Sequence, residues 1–160
     1  MDVRHNTLNR FIEGLARAPD AVMREVDQDV HRVAIMGMRD ARAAAPKAMS
    51  TLVNSIMTER VGPAHHRIVA EAGHASAQEH GRRPGRMPPI EAIRRWIRVK
   101  QIRGRGGISE RSLAFLIARK IGREGTEAQP YMEPQRATSQ DRLRRMIPLA
   151  VNRGLQEALR

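Results

Sequence analysis

The sequence predicts an α+β fold that is mostly helical, with a small antiparallel β-sheet packed against several α-helices. Apolar residues recur at helical spacing over much of the chain, whereas residues 52–72 are rich in Val, Ile and Thr. Aromatic residues make up only 2% of the chain. The core must therefore be built from Ala, Val, Ile, Leu and nine Met, which suits helix packing better than a β-sandwich.

A length of 160 residues is most simply a single domain. Within it we expect N-terminal helices over residues 1–46, a sheet over 47–81, and a basic helix–loop segment with C-terminal helices over 82–160. The chain has no cysteine, which excludes disulfides and thiolate metal sites. No segment approaches the roughly 20 apolar residues of a membrane span, so no membrane partner is expected.

Residues 21–45 are predicted to form one long amphipathic helix. Asp20 is a plausible N-cap directly after Pro19, and Pro46 ends the pattern. A shorter helix is expected before it, around Phe11. The residues that recur at steps of three or four are Val22, Val26, Val30, Val33, Gly37, Ala41 and Ala44.

A β-hairpin is predicted over about residues 52–72. Its strands are expected at 52–61 and 66–72, with Gly62-Pro63 in the turn between them. Ile68 and its alternate neighbours are small or apolar, which suits a sheet with one covered face.

Three further helices are predicted after an extended connection at residues 80–89. Pro89 opens the first, whose stripe includes Ile97 and the single tryptophan, Trp96. Ser109 is a suitable N-cap for the second helix and Gly125 a suitable C-terminal glycine. The third begins near residue 138, with Leu143, Ile147, Val151, Leu155 and Leu159 on one stripe, and Pro148 is expected to kink or split it.

Positive charge is concentrated in residues 82–105, which we call the basic segment. It holds nine basic side chains and one acidic side chain, Glu91, so it carries +8 of the chain's net +12. Residues 1–81 balance at ten basic and ten acidic groups. Such an excess predicts an anionic partner, which could be nucleic acid, a phosphate-rich surface or an acidic protein.

Several short motifs occur in the order typical of one family. An Ala-Arg-Ala-Ala-Ala-Pro sequence ends the first long helix at residues 41–46, and Leu52, Ser55 and Ile56 follow a turn. At that turn Met49 and Ser50 replace the usual Thr-Gly.

The second half of the chain continues this order. Ala75, Glu79 and Gly81 fit the next motif, although His74 stands where the family has tyrosine. The later matches are Pro88-Pro89 before a helix with Trp96, then Ile121, Gly125-Thr126, Pro130-Tyr131 and Pro134. Over about residues 40–160 the chain resembles the tail-component, or morphogenesis, family of long-tailed double-stranded DNA bacteriophages, which includes tail-completion and head–tail joining proteins.

The resemblance implies a structural virion protein of the neck or tail top, without catalysis or a cofactor. It also implies a homo-oligomeric ring, commonly a hexamer, that contacts the adjacent tail and neck or connector proteins and surrounds double-stranded DNA. The expected location is the virion, with the host cytoplasm during assembly. A ring multiplies the local charge and presents it to phosphates in a contact that is independent of sequence and sensitive to salt.

The basic side chains are therefore the candidate DNA- or partner-facing residues. They are Arg82, Arg83, Arg86, Arg94, Arg95, Arg98, Lys100, Arg103 and Arg105. The Arg-Gly-Arg-Gly-Gly loop at 103–107 either approaches a DNA backbone or is a solvated connection between helices. Arg82, Arg83 and Arg86 could instead pair with acids of a neighbouring subunit.

Competing chemistries are weakly supported. Adjacent His65 and His66 on a strand point to opposite faces, so with His74 and His80 they do not form an obvious metal site. Glu79 is more simply a structural ion pair or a turn-capping group than an acid–base residue. No catalytic, cofactor-binding or metal-binding residues are predicted.

Two alternative functions remain open. One is a prophage-encoded basic nucleic-acid-binding protein, and the other is a small metal-dependent nuclease that uses Glu91. Trp96 is either a stacking platform for nucleic acid or, beside Ile97, part of a core or subunit contact.

Overall fold

The computed structural model describes residues 3–47 and 50–160, with side chains from residue 11 onward. Its elements are α1 (Val3–Ala44), α2 (Thr51–Ser55), β1 (Ile56–Gly62), β2 (His65–Ala70), α3 (Ala75–His80), α4 (Ile90–Val99), a 3-10 turn (Arg105–Gly107), α5 (Glu110–Glu124) and α6 (Glu133–Ala158). The two strands pair in one antiparallel sheet. The mostly helical α+β fold is confirmed.

The chain divides into two compact units. The first contains the described residues through Asp40 together with 57–69 and 134–160, and the second contains 41–56 and 70–133. The prediction of a single domain stays a prediction. Among the described residues, none of the helices combines the length and apolar character that crossing a bilayer requires.

In the first unit, α1 and α6 run antiparallel through a seam of small residues. A Cβ added at Gly14 would lie 2.7 Å from the carbonyl oxygen of Ala158, and one added at Gly154 would lie 2.5 Å from the Cα of Val22. Ala18, Ala21 and Ala158 form a buried cluster in this seam. Small side chains therefore allow the two backbones to approach closely.

The hairpin is attached to α1 through polar contacts. Asp27 accepts a hydrogen bond from the turn amide of Ala64 at 2.8 Å and pairs with Arg60 at 2.8 Å. A Cβ on Gly37 would come within 2.8 Å of the Ile68 side chain. One face of the sheet thus lies close to the helix, in the same unit.

In the second unit, α4 packs against α5. Ile97 is the buried residue of α4, whereas Ala114 and Ala118 are the buried residues of α5. Ser109 caps α5 as predicted, because its Oγ accepts a hydrogen bond from the amide of Ser112 at 3.2 Å. The amide of Gly125 closes the helix by donating to Ile121 at 2.8 Å.

The prediction of two N-terminal helices was wrong, because α1 is continuous through Pro19. Proline removes one backbone donor and crowds the preceding turn, yet the helix continues because the neighbouring Ala18 and Ala21 pack in the seam with α6. Asp20 is consequently inside the helix and does not cap it. The predicted end before Pro46 is confirmed.

The hairpin was predicted in the right place but with wrong bounds. Residues 51–55 form a helical turn, not a strand, because Leu52 is buried and Ser55 Oγ donates to its carbonyl oxygen at 2.8 Å. Ser50 enters this turn with a left-handed φ of 55°. Met49, at the predicted departure from the family motif, lies outside the described residues.

The C-terminal helix also differs from its prediction. It begins at Glu133, about five residues early, and Pro148 does not split it. Its buried residues are Ala150, Gly154 and Ala158, whereas Leu155 and Leu159, expected on the buried stripe, are 40% and 48% exposed. The larger side chains therefore lie outside the seam.

Candidate anion-binding surface

The second unit holds most of the chain's excess positive charge. Residues 41–56 and 70–133 contain fifteen basic and seven acidic side chains, a net charge of +8. All nine predicted basic residues belong to this unit. Two of the nine form ion pairs with described acids of the same chain, and the others do not.

The start of the basic segment is an extended strip with a firmly held backbone. Arg82 exchanges backbone hydrogen bonds with Thr126 at 2.9 and 2.8 Å, and Gly85 donates to Gly122 at 2.7 Å. Gly125 has a φ of +79°, and an added Cβ there would collide with the Arg82 carbonyl oxygen. Because these bonds fix the backbone, the arginines of the strip project from a defined position.

The side chains of this strip find no acidic partner within the described part of the chain. The guanidinium of Arg82 donates to the carbonyl oxygen of Arg86. Arg83 and Arg86 are exposed. The prediction that these arginines pair with acids of a neighbouring subunit stays a prediction.

Arg94 and Arg98 are the two members of the set that are neutralised. Arg94 lies 3.0 Å from both Glu91 and Glu110, and Arg98 lies 2.8 Å from Glu110. The hydrogen bond to Glu91, followed by the one to Glu110, raises the pKa of Arg94, and the bond to Glu110 raises the pKa of Arg98. The bond from Arg98, followed by that from Arg94, lowers the pKa of Glu110.

Sequence reasoning missed Glu110, which lies 16 and 12 residues from its two partners. Local spacing gives no signal for such a pair. If α4 and α5 are assumed to pack antiparallel, Glu110 in the first turn of α5 is expected to lie next to the end of α4.

The remaining four cations lie on α4 and in the segment that follows it. Arg95, Lys100, Arg103 and Arg105 are exposed. They make no ion pair with a described carboxylate. The loop is held in place by a hydrogen bond of 3.0 Å from the amide of Ile102 to the carbonyl oxygen of Ile97.

Seven of the nine predicted cations are thus available to an external anion. They are Arg82, Arg83, Arg86, Arg95, Lys100, Arg103 and Arg105. Guanidinium groups can donate two parallel hydrogen bonds to a phosphate or carboxylate, and lysine supplies a point charge. Chemically, the surface can bind anions through several independent contacts.

Glu79 has a structural role, as the turn-capping interpretation predicted. Its Oε2 accepts the amides of Tyr131 and Met132 at 2.8 and 2.9 Å, and its Oε1 accepts the amide of Glu133 at 2.9 Å. Burial favours the neutral acid and raises the pKa of Glu79, but the bonds from Met132, Tyr131 and Glu133 outweigh burial and hold the pKa below 4.5. The carboxylate holds the start of α6, and it does not pair with Arg82 or Arg83.

The histidines are distributed over both units. His66 is almost fully buried in the first unit, 3.3 Å from Asp27 and 3.4 Å from His31, while its neighbour His65 is exposed. The Ala64 amide, then His66 and Arg60, lower the pKa of Asp27 against the opposing effect of burial. Among the side chains of residues 11–47 and 50–160, no three from His, Asp or Glu are grouped to hold a metal ion.

Trp96 is half-buried beside Ile97 on α4. This position agrees with a packing role, and its predicted part in a subunit contact stays a prediction. Nearby on α5, Phe115 and Leu116 are 44% and 48% exposed. The second unit therefore carries both unpaired cations and uncovered apolar side chains.

Comparison with known proteins gives no match to a family model, a curated protein or a solved structure. The resemblance to the phage tail-component family stays a prediction.

Proposed function

We propose that the protein is a structural subunit of the neck or tail top of a long-tailed bacteriophage, acting in tail completion or head–tail joining without catalysis. In this proposal the subunits form a ring, and the basic segment contacts double-stranded DNA in the channel or an acidic surface of an adjacent neck protein. The observation that carries the proposal is the set of seven cations without acidic partners in the described part of the second unit.

The geometry favours contact with a phosphate backbone over base readout. The cations are spread along an extended strip, a helix and a loop, and no single element presents them as one row. Contacts of this kind position a charged polymer without reading its sequence, and each releases condensed counterions. Ring assembly would repeat the surface around a channel, which suits a duplex that must be held at any sequence.

The two acidic residues considered for catalysis have structural partners. Glu79 is occupied by three backbone amides, and Glu91 lies against Arg94. These contacts give both residues a role in folding that does not require a reaction.

The test is a pair of charge-reversed variants in the phage genome that encodes the chain. Arg103→Glu combined with Arg105→Glu should leave the subunit folded and sharply reduce the joining of heads to tails or the retention of DNA. The control is Arg39→Glu combined with Arg136→Glu, which makes the same charge change at two exposed residues of the first unit that have no acidic partner there. Normal virion yield from the first variant would refute the proposed contact.

Electron microscopy and light scattering of the purified protein separate this function from its alternatives. The ring proposal predicts ring-shaped particles of discrete mass. A monomer or dimer that prefers one DNA sequence in a gel shift would favour a free nucleic-acid-binding protein. Plasmid nicking that requires Mg²⁺ and is abolished by Glu91→Gln would favour a nuclease.

A further inference from the structure

The first unit carries an uncovered apolar face that the proposed DNA contact does not use. We define the arm as residues 11–25 of α1 together with residues 149–160 at the end of α6. Seven large apolar side chains of the arm are each between 40% and 59% exposed. They are Phe11, Ile12, Leu15, Met23, Leu149, Leu155 and Leu159.

The arm has small residues inside and large ones outside. Gly14 and Ala18 on α1, and Gly154 and Ala158 on α6, occupy the seam between the two helices. Most helix pairs in soluble proteins bury their large apolar side chains against each other, but this seam leaves no room for them. The arm therefore buries little apolar surface by itself and leaves its larger residues to be covered from outside.

Helical geometry places five of these larger residues on one side of the arm, whereas Met23 is rotated roughly 180° from Gly14 and Leu149 roughly 140° in the opposite sense from Gly154. At about 100° per residue, Phe11, Leu15 and Ile12 are rotated roughly 60° to 160° from Gly14. Leu155 and Leu159 are rotated by roughly 100° and 140° from Gly154, in the same sense. Because the helices are antiparallel, equal rotations on facing helices point to the same side, so the five side chains form one continuous face.

The charge of the arm indicates what covers this face. The arm contains four basic and four acidic side chains, so its net charge is zero. Two ion pairs already join its helices, Arg24 with Glu157 at 2.6 Å and Arg153 with Glu25 at 2.6 Å. A neutral apolar face has no electrostatic attraction for nucleic acid or for an acidic protein.

We infer that this face contacts a second copy of the chain. Two copies that meet through the second unit bring together two units of net charge +8, whereas two copies that meet through the arm bring together segments of net charge zero. Like charges across an interface oppose association, so the arm is the surface on which self-association costs least. The inference rests on the proposed function to the extent that a ring requires contacts between copies.

The experiment compares three single variants of the full chain by sedimentation velocity and light scattering. Leu15→Glu and Leu155→Glu each place a charge in the face. Leu149→Glu is the matched control, because Leu149 is 59% exposed on the same helix but lies roughly 120° around it from Leu155. Leu155→Ser provides a milder change, and circular dichroism establishes that each variant has kept its helices.

The wild-type chain should form a discrete oligomer, and Leu15→Glu and Leu155→Glu should each raise the dissociation constant of that oligomer at least tenfold. Leu149→Glu should leave the mass unchanged. Arm variants that assemble like the wild type, or a control that dissociates equally, would overturn the inference. So would a monomeric wild-type chain, or additional mass that belongs to a different protein.

These outcomes are distinguishable from failure of the proposed function. A ring that survives the arm variants refutes the arm contact and leaves the neck function standing. Arm variants that dissociate, combined with normal head–tail joining by the Arg103→Glu and Arg105→Glu variant, support the arm and refute the DNA contact.

Discussion

Replacing Glu79 by glutamine tests the most densely bonded carboxylate of the second unit. Glu79 is 8% exposed, and its two oxygens accept three backbone amides at the start of α6. Glutamine has nearly the same shape but only one acceptor oxygen and no charge. The amide oxygen can keep the bonds from Tyr131 and Met132, while its NH₂ group would face the amide of Glu133.

The expected loss follows from the strength of these bonds. A hydrogen bond to a charged group contributes about 1.5–3 kcal/mol, and a neutral one about 0.5–1.5 kcal/mol. Glu79→Gln exchanges three charge-assisted bonds for two neutral ones, but it also removes the cost of burying a charge. The net loss of unfolding free energy should be roughly 2–3 kcal/mol. Glu79→Ala should cost at least as much, since it leaves all three donors without this partner.

The same contact predicts a pH dependence of a definite sign. The folded-state pKa of Glu79 is depressed below 4.5. Its contribution to stability is therefore fully present above about pH 4.5, and it is lost as the pH falls through the folded pKa. The difference in unfolding free energy between wild type and Glu79→Gln should shrink from pH 7 toward pH 3.

Urea unfolding followed by the fluorescence of the single tryptophan, Trp96, measures this difference, because Trp96 belongs to the second unit. The control is Glu127→Gln, which changes an exposed carboxylate without a described partner in the same unit. A change smaller than about 0.5 kcal/mol at pH 7 for Glu79→Gln would refute the reasoning. A difference that stays constant down to pH 3 would do so as well.

Gly125→Ala should destabilise the second unit by about 2 kcal/mol or more, because φ is +79° and the new Cβ meets the Arg82 carbonyl oxygen. Urea unfolding measures this loss, and a neutral effect would contradict the backbone conformation at Gly125. Pro19→Ala should stabilise α1 by roughly 1–3 kcal/mol and raise the melting temperature, since it restores a backbone N–H donor inside the helix. A lower melting temperature would argue against one continuous helix. Glu110→Gln should free Arg98, while Glu91 still holds Arg94, and should tighten binding to duplex DNA about threefold or more. Fluorescence anisotropy measures this affinity, and an unchanged value would exclude Arg98 from the contact.

Patterns within a single element were predictable from the sequence. Ser109 and Gly125 bound α5 because a side-chain acceptor and a residue tolerant of positive φ are local requirements. The turn at Pro63 and Ala64 lies within one residue of its prediction, because Gly62 and Pro63 are local turn signals. The extended strip before Pro89 was also predicted from local residues, although its backbone is held by bonds to Gly122 and Thr126.

Features that depend on packing between distant segments were not predictable in this way. Pro19 normally ends a helix, but the seam with α6 keeps α1 continuous. Leu155 has the spacing of a core residue, yet Gly154 and Ala158 occupy the buried position because the backbones lie so close.

The candidate site shows the same division. The local excess of charge is evident from the sequence, and the structure leaves seven of its nine cations unpaired among the described residues. The loss of two of them to Glu110 depends on how α4 and α5 pack. Sequence composition therefore locates the surface, while the structure decides which side chains remain free to bind.

The salt dependence of binding to duplex DNA of mixed sequence tests the central claim most directly. Each phosphate contact contributes about −0.9 to the slope of log K against log salt, so Arg103→Gln combined with Arg105→Gln should make the slope shallower by about 1.8 per subunit. Arg39→Gln combined with Arg136→Gln should leave it unchanged. A slope that is the same in all three proteins, or equally reduced in both variants, would contradict a DNA contact made by the basic segment.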